Sequence, residues 1–366
     1  MKIGILTFHC AHNYGAVLQC YALQEYLKSL GHEVYIIDYR PNYLKYGLFT
    51  WYNWIALNPI KCIRKITFQV STFPIQYRRF SSFTKFIKNR FNIKKLNLSV
   101  PQNDIECFIF GSDQIWRKNQ NSFDPVYFGK FKAAQGHKLI SYAASMGLNS
   151  LSKTESSQIQ NWLNNFSNIT VRETSLKELL APLVSQPINL VADPTFLLNS
   201  HEWDKVAIKP NTNKPYILIY QVISSPETYK LAYQASKDLG NIEIIEIASK
   251  IQKKHTSHHV IYDASPEEFL GWIQNARFIV TTSFHGTAFS IIFKKAFVSI
   301  KQNKPSDLRI ESILKSLHIL NRFIDYQSPK LNPQHYKHSI TDETAFIQKS
   351  KDILNTIKYP YNDKTH

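Results

Sequence analysis

His285 is the residue with the clearest chemical potential, since it lies between an apolar run and a small-residue helix start in TTSFHGTAFS (281–290). Gly286 permits close approach of the backbone, and a helix that opens at Thr287 and Ala288 would attract an anion to its N-terminus. A histidine beside a bound anion has its protonated form favoured, which suits a general acid. A buried turn histidine with its own hydrogen-bond partners fits the same residues. Composition alone leaves both interpretations open.

Arg172 ends another apolar run, NITVRE (168–173). Its planar guanidinium suits a carboxylate or a phosphate. Pairing with the adjacent Glu173 is the simpler alternative, although neighbouring residues of a strand point to opposite faces.

Asp113 follows the buried run FIFG in GSDQIW (111–116). A carboxylate there can accept a proton from a hydroxyl group, hold sugar hydroxyls or cap the next turn. Together with Gln114 and Trp116 it also forms a grouping typical of a sugar platform, in which polar groups surround a ring face.

The loop HCAHNYG (9–15) precedes the first predicted helix. Asn13 either exposes helix N–H groups to an anion or a sugar hydroxyl, or caps the helix. His9 and His12 have no carboxylate neighbour in the sequence, so they are weak evidence for a metal, and no metal site is predicted.

The elements that must position these residues are two successive alternations of strand and helix. We predict a doubly wound, Rossmann-like N-terminal domain over 1–195, a second one over 215–335 and a C-terminal helix within 336–366 that packs back on the first domain. The polar residues Asp113, Ser145, Arg172 and Asp193 all follow apolar runs. In an open α/β sheet, ligands bind at the carboxyl ends of the strands.

The composition narrows the class of protein. The 366 residues include 43% hydrophobic side chains and four cysteines without a Cys-x-x-Cys pair. A disulfide framework and a zinc site are therefore not indicated, and reduced thiols in a cytoplasm fit best. We read the N-terminus as a first strand and not as a signal peptide, and no apolar stretch is long enough to cross a bilayer.

The formal charge of +17 is concentrated in residues 41–103, which contain no Asp or Glu. Aromatic residues, among them Trp51, Tyr52 and Trp54, are interleaved with the cations. Such a segment favours an anionic, partly apolar partner such as a membrane surface, although nucleic acid would also satisfy the charge. A solvated pair of basic helices is the plainer alternative. The cations of this segment are Lys45, Lys61, Arg64, Lys65, Arg78, Arg79, Lys85, Lys88, Arg90, Lys94 and Lys95.

Seven motifs in order resemble the polysaccharide pyruvyl transferase family over residues 3 to about 325. They are FHCAHNYGAVLQCYALQEYLKSLGHEVYIIDYRP, FIFGSDQIW, ISYAASMG, TVRE, VADPTFLL, SPEEFLGWIQNARFIVTTSFHGTAFSIIF and SDLRIESIL. The resemblance implies two Rossmann-like domains facing a cleft, as in B-type glycosyltransferases. It also implies transfer of a pyruvyl group from phosphoenolpyruvate to a sugar, with no further cofactor.

Carried over by position, His285 matches the family's essential histidine and Arg172 its donor-binding arginine. Ser283 stands where some members have an arginine, so phosphate contacts are expected from Lys294, Lys301 or Arg309. We place Gly286 and Thr287 beside the donor as well, and Asp113 is the candidate for orienting or deprotonating the acceptor. The acceptor side is assigned to Asn13, Tyr14, Gln114, Trp116 and Ser145.

The expected product is a pyruvate ketal on a saccharide that is carried by undecaprenyl pyrophosphate and made for a capsule or exopolysaccharide. The enzyme would then be cytoplasmic, with segment 41–103 against the inner face of the plasma membrane and no nucleic acid partner. The alternatives are a nucleotide-sugar glycosyltransferase of the same architecture and a non-catalytic protein that binds membranes or glycans.

Overall fold

The computed structural model describes residues 1–44, 59–222, 224–248, 251, 257–325, 333–336 and 345–357. The aromatic cluster at Trp51, Tyr52 and Trp54 and the cation Lys45 lie outside the described residues. The fold below is that of the described ranges.

The first sheet has seven strands, all paired in parallel, in the order β3-β2-β1-β4-β5-β6-β7. Their continuous apolar runs are buried because both faces of a parallel sheet are covered by helices. The strands are β1 (Lys2–Leu6), β2 (Glu33–Ile37), β3 (Ile93–Lys94), β4 (Cys107–Phe110), β5 (Lys138–Ala144), β6 (Asn168–Val171) and β7 (Ile188–Leu190).

Five helices accompany this sheet or follow it directly. They are α1 (Tyr14–Ser29), α2 (Pro59–Arg90), α3 (Lys153–Leu163), α4 (Thr174–Leu180) and α5 (Ser200–Asp204). Asn13 caps α1, since its side-chain oxygen accepts a hydrogen bond from the Ala16 N–H at 3.2 Å. Of the two roles considered for Asn13, the structure therefore shows that of a helix cap.

The second sheet has six parallel strands in the order β10-β9-β8-β11-β12-β13. The strands are β8 (Tyr216–Gln221), β9 (Glu243–Ala248), β10 (His259–Ile261), β11 (Phe278–Thr281), β12 (Phe297–Ile300) and β13 (Phe323–Ile324). The helices are α6 (Pro226–Asp238), α7 (Pro266–Asn275), α8 (Phe284–Ile292), α9 (Asp307–Ser316) and α10 (Ala345–Asn355).

Both sheets have the strand order of a Rossmann fold, counted from the first strand of each. The predicted fold class is confirmed in that the chain has two doubly wound, Rossmann-like parallel sheets. The short edge strands β3, β10 and β13 were not predicted, because two or three residues carry too little periodicity to detect. Contacts from α10 reach the first sheet's side, where Ser350 Oγ accepts a hydrogen bond from the Ala192 N–H at 2.9 Å.

In the described part of the basic segment, residues 59–90 form one long helix, α2. Its second half is anchored in the core through the buried rings of Phe83 and Phe86. Arg79 then crosses to the second half of the chain and donates hydrogen bonds to the carbonyls of Tyr262, at 3.0 Å, and Ala248, at 3.3 Å. This helix therefore ties the two sheets together.

One boundary near the site differs from the prediction. Helix α8 begins at Phe284, not at Thr287, because Ser283 is its N-cap. His285 and Gly286 consequently belong to the first turn of the helix, where backbone N–H groups have no intrahelical acceptor.

Within the described residues, none of the helices combines the length and the apolar character that a bilayer crossing requires.

Candidate active site

A buried ion pair between Arg172 and Asp193 forms the base of the site. Arg172 follows β6 and Asp193 follows β7, so neighbouring strands deliver both side chains to the same edge of the first sheet. Arg172 Nη1 lies 2.6 Å from Asp193 Oδ2, and both side chains are almost fully buried. Asp193 also accepts hydrogen bonds from Ser112 Oγ and from the N–H and Oγ1 of Thr195. Asp193 is therefore saturated and fixed.

His285 reaches the same carboxylate from the second sheet. Its Nε2 lies 3.8 Å from Asp193 Oδ2, which is too long for a hydrogen bond. The other side of the ring packs on Gly15, where an added Cβ would stand only 1.9 Å from His285 Nδ1. The ring of Phe284, one residue earlier, lies under the Arg172 guanidinium at 4.8 Å. The first turn of α8 thus closes over the arginine at the edge of the first sheet.

Several buried hydrogen-bonding atoms in this cluster have no partner within the described structure. They are Arg172 Nε and Nη2, Arg309 Nε, His285 Nε2 and Glu173 Oε2. Buried polar groups are nearly always satisfied, so orphaned guanidinium N–H groups indicate a ligand that supplies acceptors. Two guanidinium groups and an imidazole would suit an anion with more than one oxygen-bearing group.

The charges around the two arginines differ. Burial lowers the pKa of Arg172, but Asp193, Glu173 and Asp113 outweigh burial, so the net shift is upward. For Arg309, burial and then the positive charge of Arg172 lower the pKa below its ordinary value. Arg309 therefore lies close to Arg172 without a hydrogen-bonded carboxylate of its own, and an added anion would relieve this repulsion.

His285 is neutral at physiological pH in this arrangement. Burial lowers its pKa from 6.5 to about 4, with Asp193 opposing that shift and Arg172 adding to it. This pKa is that of the site without an anion, where desolvation exceeds the attraction of Asp193. The protonated form expected beside a bound anion therefore stays a prediction. A bound multivalent anion would raise this pKa again, since it favours the imidazolium.

Asp113 stands at the open side of the cluster. Its backbone has a φ of +69°, and its Oδ1 lies 3.9 Å from Arg172 Nη2. The same oxygen accepts a hydrogen bond from the Gln114 N–H at 2.8 Å. With its side chain 18% exposed, this carboxylate is the one acidic group of the cluster that an acceptor hydroxyl can approach most readily.

Other predicted residues support the site without facing a ligand. Ser145 is fully buried, and its Oγ donates to Glu173 Oε1 at 2.8 Å. The Ser283 side chain caps α8 by accepting from the Gly286 N–H at 3.5 Å. Thr287, also fully buried, shares hydrogen bonds with the Ser283 carbonyl and with Ser299 Oγ.

Gly286 is required for helix packing. An added Cβ would stand 2.2 Å from Thr281 Oγ1. This close approach is to β11, and a contact between Gly286 and the donor stays a prediction.

Two residues that were assigned to the acceptor side have rings that a sugar cannot reach. Trp116 is fully buried, stacks on Phe128 at 5.2 Å and donates its indole N–H to the Tyr127 carbonyl. It is a core residue, so the sugar-platform prediction is wrong for this ring. Tyr14 is also buried, stacks on Phe269 at 4.3 Å and donates its hydroxyl to the Ala264 carbonyl at 2.8 Å. Its role is to join the two halves of the chain.

Lys294 is the donor candidate that the fold moves away from the cluster. It follows α8 and lines a cavity of about 390 Å³ with Phe278, the first residue of β11. His285 lies beyond the last residue of that strand, so the lysine belongs to the opposite end of the sheet. Lys301 directly follows β12, with its Nζ 5.4 Å from the Phe323 ring centre.

Gly15 and Ser112 are the site residues that sequence reasoning left out. Asp193 was placed at a strand end in the same way as Arg172, but it was given no role. Gly15 had no signal of that kind, because its contact with His285 joins residues that are 270 positions apart. Among the described residues, no group of three or more histidine, cysteine or acidic side chains has the arrangement of a metal site.

Comparisons with solved structures find likenesses at low sequence identity. Among solved structures, MnaA of S. aureus with UDP shares 12% identity at a TM-score of 0.47, covering 98% of this chain and 96% of that one. The UDP-GlcNAc 2-epimerase of Neisseria meningitidis shares 11% at 0.42, covering 97% and 99%. The glycosyltransferase SnogD of Streptomyces nogalater shares 11% at 0.41, covering 97% and 94%. No curated protein matches the chain.

The family comparison is more specific than these likenesses. The model of the family "Polysaccharide pyruvyl transferase" matches residues 13–303. That range begins at the cap of α1 and includes Arg172, Asp193 and His285. The match covers most of the chain, so this protein belongs to the polysaccharide pyruvyl transferase family.

Proposed function

We propose that this protein transfers the pyruvyl group of phosphoenolpyruvate to a pair of sugar hydroxyls and forms a pyruvate ketal. The observation that carries the proposal is the set of orphaned donors on Arg172, Arg309 and His285 in one buried cluster. Phosphoenolpyruvate has a carboxylate and a phosphate attached to the same carbon atom, and two guanidinium groups fit those two anions. Arg309 on α9 takes the place of the arginine that some relatives have at position 283.

His285 is the proposed general acid. Binding of the anionic donor raises its pKa, and the imidazolium then gives the Nε2 proton to the methylene carbon of phosphoenolpyruvate. The double bond becomes a methyl group and an oxocarbenium-like centre, which a sugar hydroxyl attacks. Asp113 accepts the proton of that hydroxyl. Arg172 and Arg309 stabilise the charge of the phosphate oxygens.

The second half of the reaction closes the ring. The carbon–oxygen bond to phosphate breaks, the second hydroxyl attacks the same carbon, and its proton leaves with the phosphate. One donor and one diol thus give one ketal and one hydrogen phosphate. Asp193 does not take part directly, because it is held by Arg172, Ser112 and Thr195. It positions Arg172 and balances its charge.

The acceptor belongs to the same proposal. We infer a saccharide carried on a lipid pyrophosphate during capsule or exopolysaccharide assembly, met by the enzyme at the inner face of the plasma membrane. The support is the family membership and the basic, acid-free segment 41–103.

The test is incubation of the chain with phosphoenolpyruvate and a series of lipid-linked saccharides. Phosphate release together with a pyruvyl mass increment on the acceptor is the expected result. His285→Gln should abolish both, whereas His201→Gln, at an exposed position on α5, should leave them unchanged. Phosphate release by His285→Gln at the native rate would contradict the assigned role.

A thermal-shift measurement separates this reaction from sugar transfer. Phosphoenolpyruvate should stabilise the native chain against heat, and Arg309→Gln should remove that stabilisation. Stabilisation by a UDP-sugar in place of phosphoenolpyruvate would instead favour a nucleotide-sugar glycosyltransferase. Stabilisation by phosphoenolpyruvate that His285→Gln leaves intact, without turnover by the native chain, would favour a binding protein.

A further inference from the structure

An apolar stripe lies exposed along the first half of α2. Its five side chains have fractional exposures between 37% and 68%. Their spacing of three and four residues places them on one face of the helix over about 21 Å, at about 1.5 Å of rise per residue. The stripe consists of Ile63, Ile66, Val70, Phe73 and Tyr77.

The part of α2 that follows the stripe packs against the protein core and the second domain. Phe83 and Phe86 are buried in the core, and Arg78 Nε lies 2.5 Å from Asp263 Oδ2 across the domain junction. The rings of Phe80 and Phe83 also pack on His12 at 4.7 and 5.4 Å. The stripe therefore lies on a helix whose following part is packed into the core. Large contiguous apolar patches on a protein surface mark interaction sites.

The charge of α2 selects the kind of partner. Eight of the eleven cations of segment 41–103 belong to this helix, and the helix contains no acidic residue. A second copy of the chain would bring the same positive charge against it, which opposes self-association. An anionic surface with an apolar layer beneath it complements both the charge and the stripe.

We infer that α2 is a membrane-contacting surface that takes an anionic phospholipid bilayer. The stripe enters the boundary between headgroups and acyl chains, and the net positive charge of the helix attracts the phosphates. This contact is independent of pyruvyl transfer. The effect of this contact on catalysis rests on the proposed function. Helix α2 packs on His12, in the loop beside Gly15 and His285, so membrane contact would hold the active site near a lipid-linked acceptor.

The test is co-sedimentation of the full-length chain with vesicles of phosphatidylglycerol and phosphatidylcholine, and with vesicles of phosphatidylcholine alone. We expect binding to the anionic vesicles only, weakened by high salt because the headgroup attraction is screened. The double variant Ile66→Asn/Val70→Asn should lower the affinity at least about tenfold. The matched control is Ile208→Asn/Leu320→Asn, whose side chains are exposed but lie outside α2.

Circular dichroism verifies that both double variants are folded. Absence of binding to anionic vesicles, or equal loss in the two double variants, would overturn the inference. So would light scattering that shows a native dimer converted to a monomer by Ile66→Asn/Val70→Asn without any vesicle binding, because the stripe would then be a contact between copies. Since no substrate is present, failure here leaves the donor-binding test of the proposed function unaffected.

Discussion

Replacing Gly15 by alanine should displace His285 and slow catalysis with little effect on donor binding. The added Cβ would stand 1.9 Å from Nδ1, 2.2 Å from Cε1 and 2.4 Å from Cγ of the imidazole ring. Ordinary contact begins at 3.4 Å, so the ring or the helix that carries it must move by about 1.5 Å. A misplacement of about 1 Å can cost on the order of a hundredfold in rate.

The assay is phosphate release from phosphoenolpyruvate with a saturating acceptor, together with calorimetric binding of the donor. Gly15→Ala should lower kcat about a hundredfold and change the donor Kd by less than about threefold, because Arg172 and Arg309 lie outside the clash. Gly240→Ala is the control: nothing lies within 4 Å of its added Cβ, although its φ of +90° costs stability. It should retain the native kcat.

A double-mutant cycle isolates the steric cause. When His285 is already alanine, the methyl group at position 15 meets no ring, so the second substitution should add little to the loss of rate and stability. A native kcat for Gly15→Ala would show that the added methyl group does not displace His285. So would fully additive effects of the two substitutions, since these would mean that Gly15 does not act through the histidine.

Three further outcomes are expected. Asp193→Asn leaves Arg172 buried without its counter-charge, so urea unfolding should show a loss of about 3 kcal/mol. Trp116→Phe removes a buried hydrogen bond and should cost on the order of 1–3 kcal/mol in the same measurement, with an unchanged KM for the acceptor. Burial lowers the pKa of His285 and of His12 from 6.5 to about 4, so the unfolded chain takes up these protons first as the pH falls. Stability should therefore be complete above about pH 6.5 and decline towards pH 4 in denaturation at constant temperature; a flat profile over that window would contradict these shifts.

The fold could be predicted from the sequence because its strands and helices carry strong local signals. Runs such as KIGILTF and RFIVTTS are buried parallel strands, and polar residues placed directly after them lie at the carboxyl edge by topology alone. Arg172 and His285 were found in this way, since strand-end position fixes which edge a side chain occupies.

What the sequence could not supply is the direction in which each side chain points. Trp116 follows a strand in the same manner as Asp113, yet its ring turns into the core and stacks on Phe128. Lys294 is only nine positions from His285, but α8 carries it to the other end of the sheet. The protonation state of the histidine depended on burial, which results from packing between distant segments.

We propose that Arg172, Arg309 and His285 together hold phosphoenolpyruvate. Calorimetric titration with that donor is the direct test of this proposal. Titration near neutral pH in two buffers of different ionisation enthalpy reports the proton count as well as the affinity. We expect binding with uptake of about one proton by the native chain, binding without uptake by His285→Gln, and no binding by Arg172→Gln. Absence of donor binding by the native chain, or unchanged proton uptake in His285→Gln, would contradict it.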